Sequence, residues 1–261
     1  MRAFRISAVA FIACMAVTLA ASGVSPSRAQ TATPAAASLA LPPDATVGGL
    51  GLADWVVRSQ QWLLSFPSAI NPAFDLTGER CAYGQSGPVF FLLQSPAEFG
   101  ASGTPQNVTR TCTVPFGAAL LAPVLQDECS TVEAPPFHGQ DEAGLRACTR
   151  AEIDRKPIAD LPKMVVTVDG QSVGDITRFR AVTPMYTLLL PPGNFIGTST
   201  PVADSMVDGY QVLLAPLTAG AHVVTITTPY AGGVHAVTYQ LTVAAPPSAN
   251  GAATPAASPA A

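Results

Sequence analysis

The sequence predicts a mainly β fold: an antiparallel β-sandwich, immunoglobulin-like or jelly-roll-like, with an N-terminal helix and one inserted surface helix. Three observations carry this expectation. Beyond Pro67 the chain breaks into short apolar or alternating runs separated by turn residues, the pattern of stacked antiparallel strands. Helical periodicity occurs only twice, which excludes regular α/β alternation. Charged residues make up 11% of the 261, against about 25% in an average soluble domain, and 25 Pro and 21 Gly punctuate the chain. That punctuation excludes a coiled coil, and the glycines lack the strict period of collagen.

The ends come first. Residues 1–29 read as a secretory signal peptide. Arg2 and Arg5 give a positive start, Ile6 to Val24 is nearly all apolar or small, and Ser27-Arg28-Ala29 suits cleavage between Ala29 and Gln30. An uncleaved anchor and lipid attachment at Cys14 are the rival readings. Cleavage lowers the basic count from 13 to 10 against 17 acids, so the net charge moves from −4 to −7. A chain this acidic is a poor partner for phosphates, and no nucleic acid is expected. No later segment is apolar enough to span a bilayer, so an exported product in the periplasm, envelope or medium is expected. Residues 30–50 and 245–261 are rich in Ala, Pro, Thr and Ser and read as disordered tails. The remainder, 51–244, is expected to form a single domain.

Within it, Leu52, Trp55, Val56, Trp62, Leu63 and Phe66 recur at helical spacing, with Asp54 as the expected N-cap and Pro67 as the stop. The two tryptophans read as core. Pro88–Leu93 is a continuous apolar run of strand length. Val108–Val114 alternates, and Ala118–Leu125 is apolar again. Residues 126–162 interrupt the strands with an acidic segment and a helix from Asp141 to Arg155, whose partial apolar stripe fits a surface position. Met164–Val168 runs into Asp169-Gly170, a hairpin signal. Met185–Leu190, Tyr210–Leu214, His222–Thr228 and Ala236–Val243 complete the strands.

Four cysteines remain after removal of Cys14. An even count in an exported chain points to two disulfides. Of three connectivities, Cys81–Cys112 with Cys129–Cys148 is favoured, because each bridge then ties adjacent elements. Each closes a loop worth about 3–4 kcal/mol in the chain-entropy model. No short Cys spacing supports zinc.

No catalytic constellation stands out. Ser86 in Gly84-Gln85-Ser86-Gly87 only approximates a nucleophile elbow and precedes a strand, not a helix. His222 and His235 could meet at one edge of the last hairpin. The acidic segment, Asp127, Glu128, Glu133, His138, Asp141 and Glu142, is the best site candidate. Its alternative reading is a calcium site using Asp127, Glu128, His138 and Asp141, although the spacing fits no EF-hand. No cofactor fingerprint is present.

A resemblance can now be placed. The run Asn71-Pro72-Ala73-Phe74-Asp75-Leu76-Thr77-Gly78-Glu79-Arg80-Cys81 precedes Gln85-Ser86-Gly87-Pro88-Val89. Arg110-Thr111-Cys112-Thr113-Val114-Pro115, Asp208-Gly209-Tyr210 and Thr238-Tyr239-Gln240-Leu241 follow. Together they resemble an uncharacterised family of exported bacterial and archaeal proteins, over most of residues 55–243. The family carries no activity to transfer. The closing hairpin separately resembles the last strands of immunoglobulin-like sandwiches. The expected function is a non-enzymatic binding or envelope-associated module whose ligand is an extracellular component such as a polysaccharide. A secreted hydrolase whose carboxylates or histidines converge only in the fold, and a calcium-stabilised module, are the alternatives.

Overall fold

The computed structural model describes residues 38–94, 107–230 and 233–247. The expected signal peptide with its Ala29–Gln30 cleavage site, and the tail from residue 248, lie outside them. Two five-stranded sheets pack as a sandwich. In the first the order is β1(Val89–Phe91), β3(Ala119–Ser130), β8(Val202–Leu214) and β6(Arg180–Val182), with β7(Tyr186–Leu189) also paired to β8. The second runs β2(Val108–Val114), β10(Gly233–Val243), β9(Gly220–Tyr230), β4(Val165–Val168), β5(Gln171–Ser172). Alternating buried residues of β9 and β10, among them Val224, Ile226, Val237 and Leu241, join one core with Leu120, Leu121, Val212 and Leu214.

The chain is the mainly β sandwich that the sequence predicts, and among the described residues most strand pairs are antiparallel, with two parallel pairs making both sheets mixed. β1 runs parallel to β3, and β2 parallel to β10. The cause is the path of the chain: it crosses from β1 to β2 in the opposite sheet and returns as β3. Two crossings restore the original direction.

The sandwich also begins earlier than residue 51. Leu41 N–H donates to Leu213 O at 2.8 Å and Ala215 N–H to Leu39 O at 2.9 Å, so residues 39–41 line the end of β8. Within the expected disordered stretch 30–50, the described part is therefore ordered. Burial of Ala40, together with these bonds, offsets the cost of ordering it.

Helix α1(Leu52–Leu64) is capped by Gly51, whose N–H donates to Asp54 Oδ2 at 3.2 Å. Asp54 thus occupies the third helical position and reaches back, one half of a capping box, and is not the N-cap itself. Trp55 and Trp62 are buried. Their indole N–H groups donate to Val47 O (3.0 Å) and Tyr83 O (2.7 Å), and both rings pack on Phe91.

The family-like motif forms a knot. Asp75 accepts hydrogen bonds from Thr77 N and Oγ1, Gly78 N and Arg80 N. Burial opposes ionisation of its carboxyl, but these four donors outweigh it and hold the carboxyl below its usual range. Gly78 has φ +94°, and a Cβ there would lie 2.4 Å from Thr111 O. Only glycine allows the loop to close on β2, where Cys81 is joined to Cys112. Arg110, buried on β2, donates to the carbonyls of Asp75, Leu93, Gln94 and Ala73 and to the Tyr239 hydroxyl. One guanidinium thereby holds the loop, β1 and β10 together.

Helix α2(Glu142–Asp154) is capped by Asp141, which accepts from Gly144 N at 2.8 Å. It packs on β3 and β8 through Leu145, Cys129 and Met206, and the second disulfide joins Cys129 to Cys148. With α1 and α2 both on the first sheet, β8 is buried continuously from Ser205 to Leu214. No helix among the described residues is long and apolar enough to cross a membrane.

Candidate functional site

The acidic segment is partly a strand. β3 does not stop at Leu125: a register shift between Pro123 and Leu125 lets it continue through Gln126, Asp127 and Glu128 to Ser130. Beyond the shift, Gln126 pairs with Gly209, Glu128 with Val207 and Ser130 with Ser205. Side chains alternate along a strand. Gln126, Glu128 and Ser130 therefore share one face, and Asp127 and Cys129 lie on the other, towards α2. Gly209 is required at the crossing, because a Cβ there would sit 2.4 Å from Leu125 O and 2.5 Å from Gln126 Cα.

Glu128 and Glu133 meet across this face. Glu133 is positioned by Ser130 Oγ, which donates to its Oε2 at 2.8 Å. Ser205 Oγ donates to Glu128 Oε1, and the Tyr186 hydroxyl lies 3.0 Å from Ser205 Oγ. Burial first, then the charge and hydrogen bond of Glu133, push the Glu128 carboxyl well above the ordinary glutamate range, against the lowering influence of Ser205. Burial and the neighbouring Glu133 thus favour the protonated form of Glu128. Burial, reinforced by Glu128, also raises the Tyr186 phenol, which stays protonated and keeps a hydrogen to give.

The pair opens on a cavity of about 160 Å³ roofed by Ser59, Gln60, Leu63 and Leu64 of α1. Its walls include Leu92, Leu93, Phe137, Phe195 and Ile196; Gln94, Gln126, Glu128 and Glu133 supply polar groups. Gln60 is 5% exposed, and its carboxamide makes no hydrogen bond among the described residues. The buried Oε1 of Gln126 has no partner among the described residues. Buried amides are normally satisfied, so Gln60 and Gln126 facing one cavity mark a place where a ligand or water completes the bonding.

The four residues of the calcium reading do not converge. Asp127 and Glu128 are consecutive on a strand and point to opposite faces, Lys156 lies 3.3 Å from Asp127, and Asp141 is spent capping α2. Among the described residues no three His, Cys, Asp or Glu side chains assemble as a metal site. His222 and His235 are likewise apart. They pair with Leu241 and Thr228 at opposite ends of the β9–β10 hairpin, six residues or roughly 20 Å along the strand. His222 instead binds Asp169 Oδ2 through Nδ1 at 2.7 Å. Ser86 is exposed beside a second cavity, of about 370 Å³, whose lining contains no titratable side chain.

Sequence reasoning found Glu128 and Glu133 within the acidic segment but not as a pair, and it missed Ser59, Gln60, Tyr186 and Ser205. One signal was available. Ser59 and Gln60 fall between Val56 and Leu63 on the apolar stripe of α1, where polar residues are out of place.

No family model matches the chain, and no curated protein or solved structure matches it.

Proposed function

We propose that the protein is an exported, disulfide-stapled binding module whose site is the cavity beneath α1. The observation that carries this reading is the convergence of an apolar-walled cavity with buried amides that lack partners. A cavity of comparable volume holds a molecule of about benzene size. A ring-sized compound, or a single terminal unit of a longer chain, therefore suits the space better than an extended polysaccharide. The two disulfides and the leader-like N-terminus support export. A titration followed by amide NMR with ring-sized sugars, alcohols, carboxylic acids and amines tests it. Saturable shifts centred on residues 59–64 and 126–133, weakened by Gln60→Leu and abolished by the cavity-filling Ser59→Trp, are expected. No saturable shift from any of the four classes overturns the reading.

A hydrolytic reading is favoured by one feature, the Glu128–Glu133 pair, because a carboxyl beside a carboxylate offers acid and base at one place. Turnover of an ester, peptide or glycoside substrate that is lost in Glu128→Gln would support it; no turnover across such a panel removes it.

A further inference from the structure

We infer that the cavity is selective for a small organic cation, an ammonium or guanidinium group seated between Glu128 and Glu133. The inference rests on the binding reading above and names the chemistry of its ligand. The first argument is charge. Three carboxyl residues, Asp127, Glu128 and Glu133, line the cavity, and no Lys, Arg or His lines it among the described residues. Of these, Asp127 already has Lys156 at 3.3 Å. The residues that helix α1 contributes to the cavity, Ser59, Gln60, Leu63 and Leu64, are all uncharged, and behind Glu128 lie Ser205 of β8 and the neutral Tyr186 phenol of β7. Glu128 and Glu133 thus have no cation against them among the described residues, and burying carboxylates in an apolar site is costly without one.

The second argument is hydrogen bonding. An ammonium group has three donors and no acceptor. The site offers three matching acceptors: Glu128, Glu133 and the unpartnered Gln126 Oε1. Gln60, 95% buried and without a hydrogen bond among the described residues, offers its amide oxygen from the roof. The third is the wall. Phe137 and Phe195 line the same space, and aromatic rings suit organic cations far better than anions.

A cation and a proton on Glu128 compete. Burial and Glu133 favour protonated Glu128; a cation seated there takes over the neutralising role, and that proton leaves to solvent. Binding should therefore tighten as pH rises, and up to one proton should be released per ligand. Glu133 and Tyr186 face Glu128, and Asp127, which also lines the cavity, has Lys156 beside it.

Isosteric probes test this with the oxidised mature chain: tert-butylammonium against tert-butanol, and benzylammonium against benzyl alcohol. Each ammonium is expected to bind at least tenfold more tightly than its alcohol at pH 8, and to lose that preference at pH 4. Calorimetry in two buffers of different ionisation enthalpy should read the released proton. Glu128→Gln and Glu133→Gln should each erase at least tenfold of the ammonium affinity and leave the alcohols unchanged. Alcohols that bind as well as ammoniums, or glutamine variants that keep the preference, overturn the cation inference and leave the binding reading standing. Absence of binding by all four probes overturns the inference, and extension of the silence to the wider panel overturns both.

Discussion

At Glu128, burial and the facing Glu133 both favour the protonated side chain, so the sign of its pH effect is fixed. A carboxyl whose folded-state value is raised contributes stability below its unfolded value and loses it as pH climbs towards the raised one. Glu128→Gln, which mimics the protonated form, should therefore raise the Tm by a few degrees at pH 7 and change it little at pH 4, as thermal scans at both values would read. Such gains are typical where a binding residue is held at the expense of stability. The pair at Asp169 and His222 behaves differently. Their mutual hydrogen bond raises the His222 imidazole against a smaller burial effect. For Asp169 the modest burial effect is outweighed by bonds from His222 and Val223, and its carboxyl is lowered. Stability from His222 is complete below about pH 6.5 and fades as pH rises through its raised value. Stability from Asp169 is present above the ordinary aspartate range and fades on acidification. His222→Ala should flatten the alkaline side of the Tm profile between pH 6 and 8. Arg110 is the most connected side chain of the fold. Arg110→Met leaves the carbonyls of Ala73, Asp75 and Gln94 without their side-chain donor, while Leu93 O keeps the Tyr239 hydroxyl, and should cost about 3 kcal/mol, read as a lower urea midpoint.

Among the elements, the strands with clean alternation were legible. Val108–Val114 is β2 to the residue, because every second side chain is buried. What alternation does not encode is direction, so the parallel pairs β1–β3 and β2–β10 had no signature in the sequence. β3 was read short because Asp127 and Glu128 look like loop residues. They are strand residues whose charges are handled separately, one by Lys156 and one by burial that favours the protonated form of Glu128. The helix from Glu142 was legible from its first-turn acid, although Asp141 proved to be its cap. The cavity was not legible, since it needs α1, β3 and the 130–138 segment brought together across the fold. The crossing of β3 and β8 depends on Gly209. Gly209→Ala places a methyl against the backbone of Leu125 and Gln126, neither of which can turn aside. It should lower the Tm and broaden the amide signals of residues 126–130, which NMR on the variant would show.

For the whole molecule, the disulfides divide the work. Cys81–Cys112 fastens the Asp75 loop to the second sheet, a place also held by Arg110 and the Gly78 contact. Cys129–Cys148 does something else. The chain leaves the first sheet at one of these cysteines and is brought back by the other, and Glu133 and Phe137 ride on the segment between. The bridge is a clasp on the side wall of the cavity. A clasped wall makes the proposed site depend on the redox state of the chain: before oxidation the wall has no covalent hold. Cys129→Ser/Cys148→Ser should keep the far-ultraviolet spectrum of the sandwich but bind benzylammonium at least tenfold more weakly than the parent, by calorimetry. Equal affinity would show that the wall stands unaided. The second disulfide is thus a redox latch on the cavity wall as much as a strut of the fold.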